Sequence, residues 1–353
     1  MWRRTSLVVA LLAGCGRIAF DPISDATATE VRTFLRLDRV APGEVLIDYP
    51  LLVVLDDSRI DRSRLAADAS DLRFFDASGQ LIPHEIEQLG ARGGPALLAW
   101  VRVPQILGID TVISFTYGGT PVPASQTSVW SDEFAAVWHL GANGGQDSTG
   151  HFATVAFGTA TTSGAIGDAL AFVAANKDYM EVADSSAYLL TAGFTVTAWM
   201  KPASIPTSYY AAIAREQQNT ADDDFWLGIL TDQPRMECVT LPGGKQPANG
   251  SPGEIVVDQW VDLAGTVDST IERVYANGLE VGSIALTSVV VFGNPSQPLF
   301  LGADRNGTSP PGVPEIDFLD GALDEVRLHN VARSPAWLQY DDAAMRDQVI
   351  TYP

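Results

Sequence analysis

The stretch Glu272-Arg273-Val274-Tyr275-Ala276-Asn277-Gly278-Leu279-Glu280-Val281-Gly282-Ser283-Ile284 is the most informative part of the chain for its fold. Two runs rich in strand-forming residues flank Asn-Gly, the pair that best accepts positive φ at both corners of a two-residue type I′ turn. The spacing predicts an antiparallel hairpin. Working outward, similar short runs recur at Ala136–Leu140, Ala169–Val173, Tyr179–Val182, Phe194–Lys201, Tyr210–Ala214, Phe225–Leu230, Met236–Thr240, Trp260–Val267, Leu299–Ala303 and Ala322–His329. So many short strands separated by turn residues exceed one small sandwich and suit two large packed sheets. After Ser334-Pro335 the pattern changes. Ser caps, Pro takes the first helical position, and Trp337 and Tyr340 share an inward face, so one short C-terminal helix is predicted up to Met345.

Composition agrees with a folded, turn-rich chain. The 353 residues are 46% hydrophobic and 18% charged and include 31 Gly and 21 Pro. The formal net charge is −21, which repels phosphate backbones and argues against a nucleic-acid partner.

Upstream, residues 118–133 contain Gly118-Gly119-Thr120-Pro121-Val122-Pro123-Ala124-Ser125, a turn-rich linker. Before it, residues 33–117 hold strand candidates at Val45–Asp48, Pro50–Leu55, Leu72–Asp76, Ala96–Val103 and Thr111–Tyr117, which read as a small β-sandwich. Arg59–Ala69 has room for one or two helical turns. The expected fold is therefore all-β: a small N-terminal β-sandwich, a larger two-sheet domain over residues 134–346, and a short C-terminal helix.

The N-terminus has Arg3-Arg4, an apolar run from Leu7 to Ala13, then Gly14-Cys15. A basic start, a short apolar stretch and small residues before a cut site mark a secretory signal, and the run is too short to span a bilayer. Leu12-Ala13-Gly14-Cys15 resembles the lipobox of bacterial lipoproteins. The resemblance implies a signal peptide over residues 1–15, lipidation of Cys15, a flexible tether over 16–32, and anchoring in the cell envelope. Gly16 in place of Asp after the Cys favours the outer membrane. Cys238, the other cysteine, lies in an alternating run and is expected to be a buried thiol.

Two further resemblances follow from motifs in order. Asp48-Tyr49-Pro50-Leu51-Leu52-Val53, Asp71-Leu72-Arg73-Phe74-Phe75-Asp76, Ile82-Pro83-His84-Glu85-Ile86-Glu87 and Ala99-Trp100-Val101-Arg102-Val103-Pro104 make residues 33–117 similar to the DUF2341 family, which implies a sandwich and no known activity. Gly164-Ala165-Ile166-Gly167-Asp168-Ala169-Leu170-Ala171-Phe172, Phe194-Thr195-Val196-Thr197-Ala198-Trp199-Met200-Lys201-Pro202 and Asp320-Gly321-Ala322-Leu323-Asp324-Glu325-Val326-Arg327-Leu328-His329-Asn330 make the larger domain resemble the LamG-like, concanavalin A-type lectin/glucanase jelly rolls. Trp199 is expected to fill the space between the two sheets.

The second resemblance implies a structural Ca²⁺ held by Asp147 and Asp324, since hard oxygen donors and a Gly-rich loop suit that ion. It also raises glycosidase chemistry, because Glu315-Ile316-Asp317-Phe318-Leu319-Asp320 is close to a Glu-x-Asp-x-x-Glu pair. Asp320 is one methylene short of the required acid, and retaining catalysis needs carboxyls about 5–5.5 Å apart. The segment is expected to be a loop, and no catalytic residues are assigned. Tyr209, Tyr210 and Trp226 are conceivable sugar platforms. Asp222-Asp223-Asp224 reads as a solvated loop, and Glu85 and Glu87 as a solvated strand face with His84 opposite. His139 is expected to pack, and four isolated His without paired spacing argue against zinc. The function expected is a non-catalytic envelope lipoprotein whose jelly roll binds glycan or protein, the alternatives being a hydrolase using Glu315 and Asp320 or a purely structural envelope protein.

Overall fold

The computed structural model describes residues 30–37, 44–107, 111–121, 128–141, 144–183, 193–215, 225–241, 244–290, 298–305 and 313–353. Cys15, Asp222, Asp223 and Asp224 lie outside the described residues. Among the described residues nearly every element is a strand, and one α-helix, Pro335–Met345, precedes the final strand.

Residues from Phe134 to His329 build a two-sheet jelly roll. One eight-stranded sheet runs in the order Ala160–Ser163, Asp168–Phe172, Gly321–His329, Phe194–Pro202, Val261–Val267, Ile271–Ala276, Leu279–Ala285, with Phe134–Trp138 also pairing along Gly321–His329. The facing eight-stranded sheet runs Gly244–Asn249, Gln233–Leu241, Phe225–Leu230, Tyr209–Arg215, Leu299–Leu301, Tyr179–Val182, Thr154–Phe157, with Val289–Val290 beside Gln233–Leu241. Between them lies a core that includes Phe194, Val196, Phe225, Leu227, Met236, Cys238, Leu263 and Val326. Cys238 is a buried free thiol. The hairpin forms as its sequence requires: Ala276 pairs with Leu279, and Asn277 and Gly278 adopt φ 51° and 74°.

Before the jelly roll stand a three-stranded sheet (Leu46–Leu55, Leu97–Ile106, His84–Gln88) and a five-stranded one. The five-stranded sheet is completed by the last strand of the chain, Ile350–Thr351, which pairs with Val31–Leu37. Arg59–Ala69 forms turns rather than helix. The cause is local: in Asp-x-Ser triplets the carboxylates of Asp56, Asp61 and Asp68 accept the amides of Ser58, Ser63 and Ser70 at 2.9, 3.0 and 3.0 Å, which competes with helical bonding. Pro83 separates two short strands, Leu81–Ile82 and His84–Gln88.

The two parts share a second core. Leu51, Trp100, Val103 and Phe115 from the first part cluster with Val137, Trp199, Trp337 and Tyr340 from the second. The helix Pro335–Met345 sits at this boundary, its Ser334 cap accepting the Trp337 amide at 3.0 Å. Trp199 is buried, but not between the jelly-roll sheets. It points to the outer face, where its indole donates to Met345 Sδ at 3.3 Å and Arg346 lies over its ring. The strand Phe194–Pro202 is covered on both faces, one by the inter-sheet core and the other by the helix, so the expected placement is corrected by one register of the pleat.

Candidate functional site

On the outer face of the second jelly-roll sheet, alternate residues of adjacent strands line up. Phe225, Leu227 and Ile229 point into the core, which sends Trp226 outward. Met236 and Cys238 point inward, which sends Arg235 and Glu237 outward. In Tyr209–Arg215 a bulge between Ala211 and Ile213 keeps Tyr209, Ala211 and Ala214 on the outer side. Tyr210 faces the opposite way, packing against the core with its hydroxyl 2.8 Å from Ser204 Oγ. Of the three aromatics weighed as platforms, the structure brings Tyr209 and Trp226 together and separates Tyr210.

Tyr209, Trp226, Arg235 and Glu237 form a groove of about 420 Å³ with Ser208, Lys245, Pro247, Asp304 and Asp317, within the range of ligand pockets. Tyr209 and Trp226 meet edge to face with ring centroids 5.7 Å apart. Gly228 gives Trp226 its room, since a Cβ there would lie 2.9 Å from Trp226 Cη2 and 2.1 Å from the Tyr210 carbonyl oxygen. Trp226 is 3% exposed, and its indole N–H has no partner among the described residues. Such a donor costs about 1–3 kcal/mol unless a ligand or water accepts it. Around the aromatics, Glu237 holds Arg235, and Lys245 Nζ at 3.0 Å. Arg235 also lies 5.6 Å from the Tyr209 ring centroid. Burial raises the Asp317 carboxyl to about 6, with Lys245 opposing. The groove thus offers the part-exposed ring of Tyr209 backed by Trp226 and charges of both signs, with an unpaired indole N–H enclosed behind its wall. Arg235 and Glu237 follow from the alternation of Met236 and Cys238. Lys245 and Asp317 reach the groove only through strand pairing and a loop, which no local pattern reveals.

The hydrolase pair is placed as a loop. Within Glu315–Asp320 there is a single bridge, Ile316 to Asp304, before the strand Gly321–His329 begins. Asp317 adopts φ 56° and lines the groove, whereas Asp320 contacts Ser204 at 3.4 Å.

The calcium pair does not fit an ion. Asp147 spends both oxygens on its own loop, accepting from the amides of Val137 (2.9 Å), Thr149 (3.0 Å), His151 (2.9 Å) and Phe152 (3.1 Å) and from the Thr149 hydroxyl (2.7 Å). Asp324 accepts the Ile166 amide with one oxygen and the Glu325 amide with the other, both at 2.9 Å, and is fully buried. The Asp147 oxygens are filled by its own surroundings, and Asp324 is enclosed between the Ile166 and Glu325 amides.

A second constellation lies where the two parts of the chain meet. Glu85 and Glu87 share a face, as the strand period requires, but that face is covered by the jelly roll rather than by solvent. Trp130 Nε1 and Ser148 Oγ donate to Glu85, and Trp100 Nε1 donates to Glu87, each at 2.7 Å. Between these carboxylates sits His139, whose Nδ1 is 2.5 Å from Glu325 Oε1 and 3.8 Å from Glu87 Oε2, and whose Nε2 is 3.8 Å from Glu85 Oε1. Arg327 binds Glu325 at 2.7 Å and lies over Trp100. Burial disfavours the imidazolium, yet Glu325, Glu85 and Glu87 outweigh it and hold His139 well above the ordinary imidazole range. Burial, reinforced by Glu325, lifts Glu87 to about 8. The plain packing expected for His139 and the solvated face expected for Glu85 and Glu87 are both corrected. Each was read from one strand, whereas the cluster needs both parts of the chain.

Residues 174–339 match the family described as the concanavalin A-like lectin/glucanases superfamily. No curated protein matches the chain. Among solved structures, the binding domain of Paraclostridial Mosquitocidal Protein 1 is 11% identical with a TM-score of 0.50, covering 60% of this chain and 52% of that one. The chain thus spans about half the length of that relative, and the likeness shows the fold. Domain 4 of AbnA, a GH43 extracellular arabinanase from Geobacillus stearothermophilus solved with arabinotriose, is 22% identical with a TM-score of 0.42, covering 60% of this chain and 98% of that domain.

Proposed function

We propose that the protein is a glycan-binding module that holds its ligand in the Tyr209–Trp226 groove without cleaving it. The observation that carries the reading is the Tyr209–Trp226 pair: two rings packed edge to face in the wall of a groove ringed by polar side chains, Tyr209 part-exposed and Trp226 buried behind it. A sugar suits this surface, with a C–H face for the Tyr209 ring and hydroxyls for the charged side chains around it. The family matched over residues 174–339, which is described by lectins and glucanases, supports the same ligand class. The loop placement of Glu315 and Asp320 favours binding over hydrolysis. A glycan array with the purified chain, followed by a reducing-sugar assay on each hit, tests this. Retention without sugar release supports it, and sugar release abolished by Glu315→Gln would establish the hydrolase instead.

In the same reading, Cys15 carries the acyl chains of a lipoprotein, the DUF2341-like part stands between anchor and jelly roll, and the protein belongs to the cell envelope at the outer membrane. Its lipid anchor makes the membrane a partner alongside the glycan or a surface protein. Two or more acyl chains give stable anchoring, so Cys15→Ser is expected to release the protein into the soluble fraction.

A further inference from the structure

The junction between the two parts of the chain carries more than packing. Glu87, His139 and Glu325 each offer one ligand atom, and these atoms lie within 4.8 Å of one another. We propose that His139 Nδ1, Glu325 and Glu87 hold a divalent transition-metal cation of the zinc class, clamping the N-terminal sandwich to the jelly roll.

Three observations point this way. The donor set is one imidazole nitrogen and two carboxylates, which suits zinc better than an all-oxygen ion such as Ca²⁺. Tetrahedral zinc with bonds of about 2.0–2.1 Å places its ligand atoms roughly 3.4 Å apart. The separations here, 2.5 Å from His139 Nδ1 to Glu325 and 3.8 Å to Glu87, bracket that value. Glu87 and Glu325 also bring two carboxyl groups to one face of a single buried imidazole nitrogen, with Glu85 beyond the other ring nitrogen.

The independent sign is the other ring nitrogen. His139 is 2% exposed, and its Nε2 is buried without a hydrogen-bond partner. With Nδ1 on a cation, the proton sits on Nε2, facing Glu85 Oε1 at 3.8 Å. Trp130 and Ser148 already hold that carboxylate in place. A ring shift of about 0.7 Å brings this N–H into hydrogen-bond range of Glu85 and completes a carboxylate–histidine–metal arrangement of the kind that orients a ligand ring. Binding expels the proton shared between Nδ1 and Glu325. Glu87 is the one ligand from the N-terminal part, so the ion is complete only when the two parts are docked.

The experiment uses the full chain without an affinity tag, expressed with zinc supplementation and analysed for bound metal by mass spectrometry, then stripped by unfolding in chelator and refolded with zinc, manganese, calcium or no metal. About one equivalent of zinc per chain and a melting temperature raised by zinc over the metal-free sample are expected. Glu87→Gln keeps an acceptor for Trp100, so it is expected to fold, and it should lower zinc affinity about tenfold or more. Its circular dichroism confirms folding, and His139→Gln serves as a second ligand variant. Metal-free protein from zinc medium, unchanged zinc content in folded Glu87→Gln, or stabilisation by calcium alone would overturn the assignment.

Discussion

Tyr49 donates its hydroxyl hydrogen to Asp341 at 2.7 Å, joining a strand of the N-terminal sandwich to the C-terminal helix 292 residues further along the chain. Neither group is exposed to solvent, and Trp337 and Tyr340 pack edge-on against the Tyr49 ring at centroid distances of 5.7 and 5.2 Å. Arg59–Asp347 and the Ser334–Glu44 bond span the same boundary, and Ile350–Thr351 adds a strand to the N-terminal sheet.

Removing only the hydroxyl tests that seam. Tyr49→Phe keeps the ring contacts but takes a donor from a buried carboxylate, at a cost of about 1–3 kcal/mol. Calorimetry is expected to show one cooperative transition in both proteins, lower by a few degrees in the variant. Two separate transitions in the wild type would show that the seam does not couple the parts.

The Asp147 loop yields a prediction about metal. Asp147→Ala orphans the amides of Val137, Thr149, His151 and Phe152 together, so a loss of about 3 kcal/mol or more is expected in denaturant unfolding. Since those amides occupy both carboxylate oxygens, adding calcium to chelator-treated wild type is expected to leave its melting temperature unchanged. A rise with calcium that disappears in Asp147→Ala would show the ion bound there.

Much of this fold was legible in local sequence. Asn277-Gly278 fixed a hairpin because only a positive-φ pair closes it, and Ser334-Pro335 marked a helix start that the structure reproduces. Legibility failed where a strand is buried on both faces. Thr195, Thr197 and Trp199 are as enclosed as Phe194, Val196 and Ala198, so alternation no longer tells inside from outside. The same limit hid the junction. Glu85 and Glu87 look like any polar strand face until Trp100, Trp130 and His139 close over them. In the groove, the aromatics were visible as residues but not as a pair, because the bulge near Ala212 decides which of Tyr209 and Tyr210 faces out.

The pH dependence of stability has an identifiable contributor in Glu272. It is fully buried, its Oε1 accepts the Ala248 amide at 2.9 Å, and burial raises its carboxyl to about 8. The folded state therefore holds this proton more tightly than the unfolded chain does. Its stabilising contribution is complete below the ordinary carboxylate range and is lost as pH rises through about 8. Glu272→Gln, which cannot ionise, is expected to melt close to wild type at pH 5 and above it at pH 9. A difference between the two proteins that does not change with pH would contradict this.

Glycan binding in the Tyr209–Trp226 groove is the central functional proposal. Calorimetric titration of an array-selected oligosaccharide into wild type and into Trp226→Ala, with matched circular dichroism spectra, tests it directly. Saturable binding by the wild type and an affinity loss of about tenfold or more in the variant are predicted, equivalent to about 1.4 kcal/mol or more. Equal affinities in the two folded proteins would place the ligand elsewhere and contradict the account.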